Sequence, residues 1–275
     1  MPNHPYKLLV VDIDGTLIDR KGRISAANRQ ALSRVRDLGI GVSICTGRGA
    51  HSSLDIIREL SLDGYHIFCD GALVSTSDTL REIHARPINP PLVKRMTAFA
   101  RRNGLDLELF SATRYLVERE TWSTGAHRDF FGIEPAFTDF SRVWERERII
   151  KGGMVATNPE EVARARHFCR HFSDCLNFSW ATTPAYPGVY FINILAPGVD
   201  KGSALETLAP HLGISLDEVI AVGDGDNDIS LLSTAGLAVA MGNAPDRVKA
   251  VADHITLDVE QSGLAAAINK FLPPA

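Results

Sequence analysis

Two aspartates, Asp12 and Asp14, stand one residue apart at the end of the apolar run "LLVV". Side chains two apart on a strand point the same way, so the pair would face a common ligand, although the turn at Gly15 begins to bend the chain there. One carboxylate of such a pair can attack an electrophile while its neighbour exchanges a proton with the leaving group. Left alone, the two would raise each other's pKa and cost stability. A divalent cation removes that penalty, and a site of a few carboxylate oxygens plus water suits Mg²⁺. Three further polar groups also follow apolar runs. Thr46, Gly47 and Arg48 come after "IGVSIC", Asp70, Gly71 and Ala72 after "HIFC", and Asp224, Asp226, Asn227 and Asp228 after "VIAV". Lys201, in the first turn of an expected helix, could add a positive charge. In an open α/β sheet ligands bind outside the carboxyl ends of the strands, so parallel strands would gather all four groups at one edge.

The elements needed to do so are readable. Ser25 caps a helix with Ala31, Leu32, Val35 and Leu38 on one face and Gly39 as its stop, and a second helix carries Leu54, Ile57 and Leu60. Strand and helix alternate again after Asp200, through "KGSALETLAPHLG", a capping box at Ser215–Glu218, "VIAV", "LAVAM", "HITL" and a last helix in "SGLAAAINKFL". The prolines of "ARPINPPLV" mark a boundary. Beyond it the strands "LDLELF", "YLVE" and "CLNFSWA" are more amphipathic and surround helices at Leu92–Arg102 and Pro159–Phe172. The expected fold is α/β: a doubly wound, Rossmann-like parallel core over 1–86 and 189–275, with a smaller α+β module inserted over 87–188. "TLIDRKGRIS" reads as a small hairpin flap beside the site.

"DIDGTL" from Asp12, "TGR" from Thr46, "DKG" around Lys201 and "GDGDND" from Gly223 resemble, in order and context, the four motifs of the haloacid dehalogenase superfamily of phosphatases. The long insertion between the second and third resembles the Cof-type subgroup, which includes sugar phosphatases with an α/β cap. The resemblance implies that Asp12 is a nucleophile forming an aspartyl-phosphate, and that Asp14 protonates the leaving alcohol and then activates water. It implies that Thr46 and the Gly47 amide hold the phosphoryl group with Lys201 offsetting its charge, and that Arg48, Gly71 and Asn227 lie on the phosphate side. Mg²⁺ would be held by Asp12, Asp224 and the carbonyl of Asp14, with Asp228 supporting the metal shell or Lys201. Relatives often carry Asn-Gly after the third strand; here it is Asp70-Gly71. The implied substrate is a small phosphorylated metabolite, a sugar phosphate or relative. A phosphomutase of the same fold and a non-catalytic metabolite-binding relative are the alternatives.

Other chemistries fit less well. "DGDND" has Ile229 and Ala235 where a calcium loop needs glycine and glutamate. His167, Cys169 and His171 lack the H-E-x-x-H pattern, and "GVDKGS" is no Walker loop. The arginines at 101, 102, 142, 146 and 148 read as solvated faces, and Trp122, His127, Arg128 and Tyr186 as candidate substrate contacts from the insertion. A net charge of −4 and a pI near 6.1 argue against a dedicated nucleic-acid binder. No apolar run is long enough for a bilayer. The first residues, "MPNHPYK", do not read as a secretory leader. Four cysteines without a C-x-x-C pair read as reduced thiols, so the expectation is a cytoplasmic monomer or small homo-oligomer.

Overall fold

The computed structural model describes residues 5–79, 81–183 and 185–273; residues 1–4, on which part of the leader reading falls, lie outside them. The chain begins with β1 (Leu8–Val11), α1 (Ala26–Asp37), β2 (Gly41–Ile44), α2 (Leu54–Glu59) and β3 (Tyr65–Phe68), followed by β4 (Leu73–Thr76) and β5 (Glu82–Ala85). The middle holds α3 (Pro90–Arg102), β6 (Glu108–Phe110), β7 (Tyr115–Val117), α4 (Trp122–Phe131), β8 (Ala136–Phe137), β9 (Lys151–Ala156), α5 (Pro159–Phe172), β10 (Asn177–Ala181) and β11 (Tyr190–Leu195). The last third holds α6 (Lys201–His211), β12 (Val219–Gly223), α7 (Ile229–Thr234), β13 (Leu237–Ala240), α8 (Asp246–Lys249), β14 (His254–Ile255) and α9 (Gly263–Phe271).

The core sheet runs β14-β13-β12-β1-β2 and every pairing in it is parallel. β1 and β13 are apolar and buried at every position, and β12 up to Gly223, because both faces are covered. Leu9 and Val11 of β1 join the cluster under α1 and α9, while Leu8 and Val10 join the cluster under α6 and α7. The same alternation repeats in β12 and β13. The third apolar run of the sequence does not extend this sheet as a full strand. β3 touches β2 through one parallel bridge, Cys45–Ile67, and otherwise pairs antiparallel with β4, which pairs with β5. The Asp19–Arg23 turn, with the Ile18–Ile24 bridge, forms the small flap.

The inserted module is a second sheet of order β10-β11-β9-β6-β7-β8, antiparallel except where β7 meets β8. Helices α3 and α5 cover one face with Val93, Met96, Phe99, Phe168 and Phe172 against Leu109, Met154, Ile192 and Ile194. Strand alternation sends Glu108, Phe110, Lys151, Gly153, Phe191 and Asn193 to the other face, where they line a cavity against the core. β11 corrects the boundary placed between 188 and 189. Tyr190–Leu195 reads like a core strand, yet it pairs with β9 and β10, so the chain leaves the module only after Leu195. β9 is hidden in sequence by Gly152 and Gly153. A Cβ on Gly152 would stand 3.2 Å from Met96 and Ile194, so that glycine permits close approach rather than a turn.

Candidate active site

Asp12 ends β1, and its backbone N–H is still tied to the Val222 carbonyl of β12 at 3.0 Å. Lys201 reaches it from the first turn of α6, which is fixed by a reciprocal cap between Asp200 and Ser203. The Lys201 Nζ donates to Asp12 Oδ1 at 2.7 Å and to Asp228 Oδ1 at 2.6 Å, and it is wholly buried. The other oxygen of Asp228 accepts from the backbone N–H groups of Asp224 (3.0 Å) and Gly225 (2.8 Å). Asp228 therefore holds Lys201 and its own loop. One ammonium between two carboxylates satisfies the rule that buried charges are paired. Burial and then Asp228 push Asp12 well above the usual carboxylate range. Burial would lower Lys201, but Asp12 and Asp228 together carry it well above the normal lysine value.

Asp224 follows β12 and is pushed up to about 8, by burial first and by Asp228 second. Thr16 donates to its Oδ1 and Asn243 to its Oδ2, both at 3.1 Å. Asn243 also donates to the Gly15 carbonyl at 2.9 Å, and its Oδ1 accepts from the Val259 N–H at 2.9 Å. A Cβ on Gly15 would overlap the Asp224 carboxylate, which explains why the turn after Asp14 needs glycine. Oxygens of Asp12, Asp224 and Asp228 lie within 4.8 Å of one another. This all-oxygen set fits a hard divalent cation, and the raised Asp12 and Asp224 mark a charge the protein alone leaves uncompensated.

Asp14 borders the same cavity as Asp12. Its carboxylate lines the cavity but is gripped by Arg48, from Nε at 2.8 Å and from Nη2 at 2.6 Å. The guanidinium lies over Phe131 (4.6 Å) and Phe130 (5.4 Å) of α4, so Arg48 orients Asp14 while packing on the inserted module. Thr46 and Gly47 line the same cavity, and the Thr46 hydroxyl accepts the Arg48 N–H at 3.1 Å. Asn227 also lines it and donates to Asp70 at 2.9 Å. Gly71 is not among the lining residues. With φ +100 it presses on the backbone of Asp200, where any Cβ would overlap the carbonyl, so its contribution is to packing.

Asp70 itself, in a left-handed conformation, is a junction between modules. Its Oδ2 accepts from Asn193 (2.6 Å) and Ser179 (2.8 Å), both on the inserted sheet. Asn193 Oδ1 accepts from Lys151 Nζ at 3.0 Å, and Lys151 returns to the core by donating to the Gly47 carbonyl at 2.8 Å. The cavity enclosed between the modules has a volume of about 310 Å³.

Sequence reasoning missed Glu108, Lys151, Asn193 and Asn243, all in the cavity wall. The available signal for the first was a charged residue inside "LDLELF", flanked by Leu107 and Leu109, which are buried. Of the four contacts expected from the insertion, only His127 lines the cavity. Arg128 is tied to Glu120 and Glu134, and Trp122 packs edge-on against Tyr186. His167 and His171 pack on Phe99. All four cysteines are free thiols, and among the described residues no helix is long and apolar enough to cross a membrane.

An ammonium held between two carboxylates at the ends of the central strands of a parallel sheet stands where α/β enzymes place their sites. The sequence profile of the haloacid dehalogenase-like hydrolases matches residues 9–268, and the chain belongs to that family. It is 27% identical to the putative phosphatase M6_Spy0533 of Streptococcus pyogenes serotype M6, over 97% of this chain and 98% of that one. It is 28% identical to the chloroplastic endoribonuclease YBEY of Arabidopsis thaliana, over 97% of this chain but only 46% of that protein. A haloacid dehalogenase-like hydrolase from Bacteroides thetaiotaomicron superposes with a TM-score of 0.84 at 28% identity, covering 96% of this chain and 99% of that one. The subclass IIB sugar phosphatase BT4131 does so with a TM-score of 0.82 at 26% identity, covering 98% and 100%.

Proposed function

We propose that this chain is a Mg²⁺-dependent phosphoric monoester hydrolase that transfers the phosphoryl group of a small phosphorylated metabolite first to Asp12 and then to water. The Lys201–Asp12–Asp228 arrangement carries the reading: it presents a carboxylate oxygen at a strand end with a buried ammonium beside it. Asp12 attacks phosphorus, and the bond to the leaving oxygen breaks. Asp14, oriented by Arg48, gives its proton to that oxygen. The same Asp14 then takes a proton from the water that attacks phosphorus, and the bond to Asp12 breaks, releasing inorganic phosphate. Thr46 and the Gly47 amide would hold the phosphoryl oxygens, and Lys201 would offset their charge. Phosphoryl transfer asks chiefly for such positioning and neutralisation. Asp12, Asp224 and the Asp14 carbonyl would hold Mg²⁺, which when bound supplies charge neutralisation to the carboxylates and the phosphoryl oxygens.

The inserted module, running from about 87 to 195, would close over the core, select the ester and limit water. The polar wall of the cavity and its volume suit a sugar phosphate. Purified protein with MgCl₂ is expected to release phosphate from members of a phosphate-ester panel. Asp12→Asn should abolish release while leaving the circular dichroism spectrum unchanged. Isomerised product without free phosphate would instead identify a mutase, and binding without turnover across the panel a non-catalytic relative.

A further inference from the structure

We infer that the cavity carries a second recognition point, formed by Glu108 and His127 beside the bare backbone of Gly153, that binds hydroxyl groups on the alcohol portion of the ester; this rests on the phosphatase reading above. Glu108, Gly153 and Asn193 lie side by side across three strands of the inserted sheet, all facing the cavity. The middle position has no side chain, so the cavity reaches the strand backbone between a carboxylate and an amide. A Cβ there would stand 3.3 Å from Glu108 Oε2 and 3.2 Å from the Phe110 ring.

Glu108 is 5% exposed. Its Oε1 accepts from Tyr115 Oη at 2.8 Å and from Ser123 Oγ at 2.5 Å, which fixes the side chain. Its Oε2 makes no hydrogen bond among the described residues and lies 3.7 Å from His127 Nε2. The other nitrogen of that ring, Nδ1, lies 2.8 Å from the Ser123 carbonyl, a contact that requires a hydrogen on Nδ1. Nε2 is thus turned towards the free carboxylate oxygen. A hydroxyl oxygen can reach both atoms at about 2.8 Å across such a gap. Glu108 accepts its hydrogen, and Nε2 donates to it, or accepts from a neighbouring hydroxyl when the ring is neutral. Either protonation state of His127 selects hydroxyls. Phe110, which stacks on Tyr115, and Phe131 offer apolar surface to the carbon skeleton.

The sign of the charge narrows the class. A buried carboxylate repels a second anion, so the point disfavours bisphosphates and phosphorylated carboxylic acids and favours a phosphorylated polyol or sugar. Lys151 keeps its positive charge, but its Nζ donates to Asn193 and to the carbonyl of Gly47, the residue assigned above to the phosphoryl group, so it favours the anion at that end.

The test uses the full chain with MgCl₂, hexose and pentose phosphates, their monodeoxy analogues, and p-nitrophenyl phosphate. The ratio of kcat/KM for the best sugar phosphate to that for p-nitrophenyl phosphate should fall about 10- to 100-fold in Glu108→Gln, the loss of a charged hydrogen bond. Gly153→Ala, whose Cβ would crowd Glu108 Oε2 and the Phe110 ring, should lower the ratio in the same direction. Wild type should discriminate against at least one monodeoxy analogue, and Glu108→Gln should lose that discrimination. Turnover of both ester types by wild type with the ratio unchanged in both variants would overturn the inference alone, as would a preference for phosphorylated carboxylic acids. Release of phosphate from no ester would overturn the phosphatase reading and this inference with it.

Discussion

At the scale of single residues, the site is held by a few side chains whose roles are set by burial. Lys201 is the clearest case, since its charge is balanced only by Asp12 and Asp228. Lys201→Met should destabilise the fold by about 3 kcal/mol, because it leaves two buried carboxylates without their cation. Urea unfolding followed by far-UV circular dichroism would measure that loss. What sequence could give at this scale was residue type and order. Asp12, Thr46, Lys201, Asp224, Asn227 and Asp228 all reach one region because each follows an apolar run or opens a helix of one parallel sheet. What it could not give was side-chain direction. Nothing in the spacing says that Asp14 is gripped by Arg48, or that Asn227 donates to Asp70. Gly71 has the composition of an anion-binding turn, but a backbone carbonyl 129 residues downstream occupies the space its Cβ would need.

At the scale of elements, hydrophobic patterning placed α1, α3, α5, α6 and the core strands, since caps and two-sided burial leave local signatures. Ser25 accepts the Asn28 N–H, Asn158 accepts the Glu161 N–H, and Pro159 opens α5, as the sequence requires. β9 and β11 escaped for opposite reasons. The glycines of β9 hide it, and the apolar run of β11 imitates a core strand; only pairing partners tell them apart. These two strands present the residues that join the modules. Asn193 is central there, since its amide lies between the Asp70 carboxylate and the Lys151 ammonium. Asn193→Ala removes the hydrogen bond to Asp70 that crosses the junction, frees Lys151 from its amide partner, and should favour separation of the inserted sheet from the core. KM for the ester turned over best should rise about tenfold, as a smaller population of the joined state lowers apparent affinity. Small-angle scattering of the same variant should show a larger radius of gyration than wild type.

At the scale of the whole molecule, the stability of the metal-free protein should depend on pH with a sign set by the buried groups. Asp224 binds its proton up to about pH 8 in the folded chain but only to about 4 when unfolded. The folded state therefore holds more protons across that range, and stability falls as pH rises through it. His51 and His66 act the other way. Each is lowered to about 4, His51 by burial and Lys151, His66 by burial. Their contribution is present above pH 6.5 and is lost as pH falls towards 4. Between pH 6.5 and 8 only the carboxylate effect remains, so the Tm of chelated protein should drop across that interval. Added MgCl₂ should raise Tm, and by more at pH 8 than at pH 6.5, because the cation binds the ionised carboxylates more tightly than the protonated ones and a ligand of the folded state stabilises it more the tighter it binds. Differential scanning calorimetry with and without chelator would check both slopes.

The two crossings between modules touch: Arg86, on the way in, donates to the carbonyl of Pro197, on the way out, at 3.2 Å. The outgoing strand ends at Leu195, and α6 begins at Lys201, the amine that holds Asp12. A protein engineer transplanting a different specificity module would therefore find the splice point tightly bounded. A junction placed before Ala196 keeps that buried amine seated in its own helix, whereas one drawn after Lys201 would carry it away with the graft.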